Sequence, residues 1–536
     1  IERLEQALRL TLAPVPLLVD LSAAHLLRAE RTQNPRDLSE ALEAARRALE
    51  HEPRNLPALF NAALAIQAMG LDGEAAEAWD AYLAVDRRSE WADEARRRKG
   101  ELITEPVEPR EPVAGAPAAE VQAFAARYPA EARELGWGPV LDGWGKAVEN
   151  GDTAQAALHL RLAENLGRAL EERPGGDASL MDAVRAIHAV RGDPQATMTL
   201  AQGHRAFAGG GALLRTPEPE AARDTIAFVV PARTLSSVLS QWTDLSQARV
   251  LGFLGRNDAA AAALLRLLAD VDSIRHPALA ARARMTRGTV LARDGHYVAA
   301  RAEYRAAAEH FRRAGESEHL GALQSTDGET ACAQGDTVTA YRLLHRARQA
   351  LRSHRWSTAS HNNLHGLARC VAASGMPRAA LAILDEDVRV TRLERPSIKL
   401  VDALQLRVQA RGIIGDSAGA AADLDSASAE LIRLPEDKEQ KKWAVAVLQM
   451  AALGRVPAAK MDSAVEYLVA TNVAWGLPAL MRRADAKLAE GDVSGAAADL
   501  EAVITGVREL SPADAVLRAA ALEQARSRFN RLVMLY

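Results

Sequence analysis

A glycine-centred turn recurs down this chain at near-constant spacing, and no other feature limits its fold as tightly. It falls at Gly255 (LGRND), Gly295 (RDGHY), Gly335 (AQGDT), Gly375 (ASGMP), Gly415 (IIGDS), Gly454 (ALGRV) and Gly491 (AEGDV), at intervals of 40, 40, 40, 40, 39 and 37 residues. Gly70 (AMGLD) and Gly151 (ENGDT) lie in the same local context upstream. Other positions keep phase with this marker. Five residues after it stand Ala75, Ala156, Ala260, Ala300, Ala340, Ala380, Ala420, Ala459 and Ala496. Nine residues after it stand Trp79, Leu160, Leu264, Tyr304, Leu344, Leu384, Leu424, Ser463 and Leu500, large and apolar in all but Ser463. An offset of four is one helical turn, so the small and the large residue share a face. Seven residues before the marker, Ala63, Ala248, Gly288, Gly328, Ala368 and Ala484 put a small residue on the preceding helix. Glycine ends one helix, small residues let two helices approach, and the repeating unit is an antiparallel helical hairpin.

In NLPALFNAALAIQAMGLDGEAAEAWDAYLAVD, Leu59, Ala63, Ile66, Gly70, Ala75 and Trp79 fall where the tetratricopeptide repeat places its packing residues, and the chain resembles that family over most of its length. The expected fold is therefore all-α, a tetratricopeptide-like solenoid of hairpins with a period of about 40 residues. It departs from the family in its longer period and in lacking most of the prolines after the second helix. Composition agrees. At 536 residues the chain is too long for one compact core, and 48% apolar with only 4% aromatic residues means Ala and Leu, which favour packed helices.

Four prolines in EPVEPREPVAGAP, residues 105–117, predict a linker. It divides an N-terminal helical block, residues 1–104, from an irregular helical region, 118–242, and a regular array, 243–536. Within the irregular region Thr216 stands where the marker glycine is expected, and Gly209, Gly210 and Gly211 read as a hinge.

A net charge of −4 offers no basic field for nucleic acid or anionic lipid. No apolar run reaches the length of a membrane span. Cys332 and Cys370, 38 residues apart, are the only cysteines; with no paired-Cys motif they read as ordinary buried thiols in a reducing, cytoplasmic setting. The chain begins without Met and stops in the helical pattern RSRFNRLVMLY, which suggests a piece of a longer protein.

Catalytic motifs do not emerge. There is no GxSxG elbow, and the glycines at 209–211 lack the Gly-Lys-Ser/Thr ending of a phosphate loop. His361 and His365 share a helical face, but a zinc site needs a third ligand, and the glutamate of zinc-protease helices is absent. Neither a catalytic residue, a metal nor a cofactor is expected in this chain. The stretch YRLLHRARQALRSHR, residues 341–355, holds five Arg and two His with no acid, a composition able to contact phosphate or an acidic partner, although a solvated face or a docking edge is the favoured reading. The favoured functional surface is the concave groove that stacked hairpins create. The phase places Trp242, Arg249, Met285, Ser325, Glu329, Asn362, His365, Arg369, Asp402, Gln405 and Gln409 there, a mixture suited to a protein or peptide rather than nucleic acid.

Three longer stretches resemble the repeat arrays of bacterial CHAT-domain proteins, which join such repeats to a caspase-like cysteine protease. They are the entry PLLVDLSAAHLLRAERTQNPRDLSEALEAARRALEHEPRNLPALF and its following repeat, ARGIIGDSAGAAADLDSASAELIRLP, and the stretch from LPALMRRADAKLAEGDVSGAAADLEAVITG to the end. The resemblance implies a regulatory scaffold with a protease domain in cis after Tyr536, and a role in defence. The family's catalytic His and Cys belong to that domain, so neither Cys332 nor Cys370 inherits their role. The alternative is a free-standing peptide-binding adaptor or signal sensor.

Overall fold

The computed structural model describes residues 1–10, 14–102, 110–214, 219–352, 358–392, 397–433, 458–471, 473–507 and 525. Among them there is no strand, and helices pair as antiparallel hairpins of tetratricopeptide-like type. No helix among the described residues is long and apolar enough to cross a membrane. The chain forms two compact units, Ile1–Glu386 and Asp387–Tyr536.

Every marker glycine among the described residues has the left-handed backbone its turn demands, from φ 70° at Gly151 to φ 86° at Gly415. Gly454 lies outside the described residues. The in-phase small and large positions meet as the spacing predicts. A Cβ on Gly288 would lie 2.4 Å from Tyr304, and one on Gly328 would lie 2.7 Å from Leu344, so glycine seven residues before the turn admits the large side chain nine residues after it. An ionic pair keeps the same phase in three repeats. Arg287 pairs with Glu303, Arg407 with Asp423 and Arg483 with Asp499, each eight residues before and after the marker.

In the first unit, α1 (Glu2–Leu8), α2 (Val15–Thr32), α3 (Arg36–His51), α4 (Leu56–Ala68), α5 (Asp72–Val85) and α6 (Glu90–Gly100) form the N-terminal block. The region after it is less regular. A single turn of π-helix at Gly136–Val140, containing Pro139, joins two short helices, and Trp137, Trp144 and Trp242 fill a shared core. Gly209–Gly211 do not break the chain. They complete the Pro194–Leu213 helix, and a Cβ on Gly210 would lie 2.3 Å from Ile226, so close helix packing replaces the expected hinge. Thr216 lies outside the described residues. Residues 110–117 of the proline-rich stretch are non-helical.

Within the same unit, Arg133 is buried against Glu316, with Arg282 reaching Glu316 at 2.8 Å and Asp177 lying 3.6 Å from Arg133. Asp177 also accepts the Ala278 amide at 2.9 Å, capping a helix whose own N-terminus has no side-chain cap.

In the second unit, Ile398–Ile414 pairs with Ser417–Arg433, and Val473–Ala489 with Val493–Gly506.

Candidate functional site

A developed concavity lies in the N-terminal block, between α2, α4 and α6. Local sequence fixes its walls. Asn55 caps α4 by accepting the Ala58 amide at 3.0 Å, and Ser89 caps α6 by accepting the Ala92 amide at 3.2 Å. Between them opens a cavity of about 1210 Å³, lined by Leu26, Leu27, Leu56, Phe60, Leu64 and Trp91 among others.

Aromatic packing stiffens one side of the groove. Phe60 meets Trp79 at 5.1 Å, Tyr82 at 5.3 Å and Trp91 at 5.1 Å, each edge to face. The polar groups behind this wall are already engaged. The Trp79 indole donates to Gln67 at 3.1 Å, Gln67 donates to the Arg98 carbonyl at 3.3 Å, and the Tyr82 phenol donates to Asp86 at 2.8 Å. Hydrogen bonds from the Ser89 hydroxyl and then from Tyr82 hold the Asp86 carboxyl down to about 2. Trp91 and Leu27 nevertheless remain 62% and 56% exposed. The groove thus offers apolar surface on a rigid frame, which is how contact surfaces differ from scattered exposed residues.

One lining residue, His345, comes from far along the chain. Its helix, Thr337–Leu351, carries the basic stretch noted in the sequence, and that stretch docks on the N-terminal block. Arg348 donates to the Gly70 carbonyl at 3.0 Å, Gln349 to the Ala68 carbonyl at 3.4 Å, and Arg352 to Asp72 at 2.9 Å. Within the chain Arg352 finds an acidic partner in Asp72, whereas Arg342 and Arg346 of the stretch are exposed. Residues 353–355 of the stretch lie outside the described residues.

A second set of contacts involves the Pro377–Thr391 helix. Glu43 of α3 accepts the amides of Arg378 at 2.8 Å and Ala379 at 3.0 Å, in the first turn of that helix. Glu386, from the same helix, accepts the Glu74 amide at 2.8 Å in the first turn of α5, which has no side-chain cap of its own. Each partner therefore places a carboxylate on a helix N-terminus of the other, where the helix dipole favours negative charge. The Arg378 guanidinium completes the contact with Glu50 at 2.7 Å and Glu43 at 3.1 Å.

The residues expected to line a groove in the later array differ in burial. Arg249, Asn362 and Arg369 are exposed, and Met285, Glu329 and His365 are half-buried. Trp242 and Ser325 are buried. Trp242 packs against Trp137 at 5.7 Å and Ser325 donates to the Gly321 carbonyl at 3.1 Å. Glu329 lies over Gly366, whose Cβ would come within 2.7 Å of its side chain. Burial pushes the Glu329 carboxyl up, opposed by Arg369 and His361. The His361 and His365 rings lie 5.7 Å apart. Burial first, then the neighbouring His361 and Arg369, pushes His365 down to about 3. Glu329, His361, His365 and Arg369 are thus brought together on two consecutive first helices. Asp402, Gln405 and Gln409 belong to the second unit, where Gln405 is buried, Asp402 half-buried and Gln409 exposed.

The reading of Cys332 and Cys370 as separate thiols is corrected. They form a disulfide with Cα atoms 6.1 Å apart, joining the Ser317–Ala333 and Thr358–Ala373 helices. Stacking of successive first helices brings together two residues whose spacing follows no paired-cysteine motif. The ground for expecting a reducing compartment goes with it.

No protein-family model matches the chain, and no curated protein matches it. Solved structures similar to it include a Rap protein complexed with competence and sporulation factor, at 12% identity and TM-score 0.39 over 62% of this chain and 98% of that one. The apo form of RapI is 12% identical with TM-score 0.43, covering 69% and 97%. The apo form of the quorum sensor NprR from B. thuringiensis is 11% identical with TM-score 0.42, covering 69% and 97%. At these values the likeness assigns neither a ligand nor a partner.

Proposed function

We propose that this chain is a protein-interaction scaffold whose N-terminal block takes up a protein segment presenting one apolar face in the α2–α4–α6 groove. The supporting observation is the cavity of about 1210 Å³ with Trp91 and Leu27 exposed over a wall of satisfied polar groups. This exceeds the roughly 300–1,000 Å³ of ordinary small-molecule pockets, and a channel between helices suits an amphipathic helix laid into it. Trp91 is the expected anchor. Peptides selected from a random display library on the wild-type protein should lose about 30-fold or more in affinity on Trp91→Ala, as hot-spot aromatics do. Selected peptides that bind the variant equally well would end this reading.

A finer form rests on the resemblance of three stretches to the arrays of bacterial CHAT-domain proteins. In it the scaffold controls a caspase-like cysteine protease in cis, and groove occupancy sets its activity. A coding sequence that contains no such domain would remove this form and leave the scaffold intact. The exposed Asn362 and Arg369 support a second contact face on the Thr358–Ala373 helix. Unchanged partner capture by the Asn362→Ala, Arg369→Glu double variant would dismiss that face.

A further inference from the structure

We propose that occupancy of the groove and docking of the N-terminal block on the Thr337–Leu351 and Pro377–Thr391 helices are linked equilibria, each strengthening the other. The inference rests on the groove being a binding site, and adds how that site is regulated.

Three observations carry it. The groove is complete only in the docked arrangement, because His345 in its wall comes from the helix on which the block docks. Docking and binding also share an element. The Gln349 amide nitrogen donates to the carbonyl of Ala68, itself a lining residue at the end of α4. At the next turn Gly70 sits so close to this helix that a Cβ there would lie 3.1 Å from Gln349 and 3.3 Å from Arg348 and from Arg352. A shift of the docking helix is therefore transmitted to α4, which supplies Phe60 and Leu64 to the groove. Finally, the docking contacts described are polar, being hydrogen bonds to carbonyls at the end of α4, ion pairs, and carboxylates on helix N-termini, and interfaces of this polar kind separate more readily than large apolar ones. A ligand that touches both α4 and His345 binds the docked form better, and that difference in affinity is what shifts a two-state equilibrium. Reciprocity follows: loosening the docking weakens the ligand by the same factor by which the ligand tightens the docking.

The test uses the full chain and the apolar dye bis-ANS as probe, with the part of its fluorescence titration abolished by Trp91→Ala counted as groove binding. Docking is read separately, by hydrogen exchange of peptides spanning the amides of Gly73, Glu74, Arg378 and Ala379. The dye should slow exchange at these amides about 5-fold or more. The Arg352→Ala, Arg378→Ala double variant should weaken groove binding by a similar factor. Glu50→Lys, which sets like charges against each other at a half-exposed position, should act in the same direction without threatening the core. Unchanged exchange in the Ser237–Phe253 helix serves as the folding control. Trp91-dependent binding that is unaltered in both variants would overturn the linkage and leave the groove standing. Absence of Trp91-dependent binding would overturn the groove reading and this inference together.

Discussion

His204 makes this architecture sensitive to acid, although no solvent reaches it. It lies on the Pro194–Leu213 helix, fully buried between Trp137 at 5.8 Å and Trp144 at 5.9 Å, with neither ring nitrogen hydrogen-bonded. Burial alone moves it from 6.5 to about 4. The sign follows from linkage. Between those values the unfolded chain binds a proton that the folded chain refuses, so stability is complete above about 6.5 and is lost as pH falls towards 4. At about 1.4 kcal/mol per pH unit the full loss is about 3 kcal/mol, and between pH 7 and pH 4.5 it is about 2 kcal/mol. Leucine at this position removes the titration and the two unsatisfied nitrogens at modest change in volume. His204→Leu should match the wild type at pH 7 within about 1 kcal/mol and exceed it by about 2 kcal/mol at pH 4.5. Repeat arrays do not always unfold as one. Local opening is therefore best read by hydrogen exchange along the Pro194–Leu213 helix, with urea series at both pH values. Carboxylates elsewhere titrate in both proteins and cancel in the difference. An identical loss between pH 7 and pH 4.5 in the two proteins would refute the assignment to His204.

Three further perturbations probe separate parts of the fold. The cross-link between Cys332 and Cys370, separated by 38 residues, should contribute about 4 kcal/mol through chain entropy; a non-reducing peptide map must show the two joined, and titration of two free thiols per chain would contradict it. Gly288→Ala forces a Cβ to within 2.4 Å of Tyr304 and should cost about 1–3 kcal/mol, measured as a lower urea midpoint; no change would mean the hairpin relaxes freely. In the second unit Arg407 and Asp423 are both buried and paired. Arg407→Met takes one of the two arginines from Asp423, leaving Arg411 at 3.0 Å, and should cost about 1–3 kcal/mol, read as a lower urea midpoint; an unchanged midpoint would show that Arg411 compensates fully.

How much of this was legible in the sequence depends on the range of the contact. The glycine phase reads directly into left-handed turns and into the Gly288–Tyr304 and Gly328–Leu344 approaches, because each is settled within one hairpin. The Arg–acid pairs eight residues either side of Gly295, Gly415 and Gly491 were equally visible, and a phase test confined to apolar positions passes over them. The groove had a signal too. Phe60, Trp79, Tyr82 and Trp91 cluster in a chain that is only 4% aromatic, but they fall in the block furthest from the regular period, where attention to the later repeats misses them. The docking contacts had a signal on one side alone, the basic stretch 341–355, and nothing marked its partner. Arg348 meets Gly70 across 278 residues and Glu43 meets Arg378 across 335, and no spacing rule spans such separations. The disulfide belongs to an intermediate class, predictable only once the stacking of adjacent hairpins is known.

The reciprocal helix caps have a consequence for how the chain is made. The Glu74 amide waits for Glu386, which lies 312 residues further on. At about 5–20 residues per second, that is an interval of roughly 15–60 s on the ribosome. For most of that time α2 to α6 are complete enough to pair, while first the helix whose His345 closes the groove and then the carboxylate that finishes α5 have yet to be synthesised. An apolar channel bearing Trp91 and Leu27 is then presented to the surroundings in its open state, and the moment at which the N-terminal block becomes whole is set by translation of a segment more than halfway down the chain.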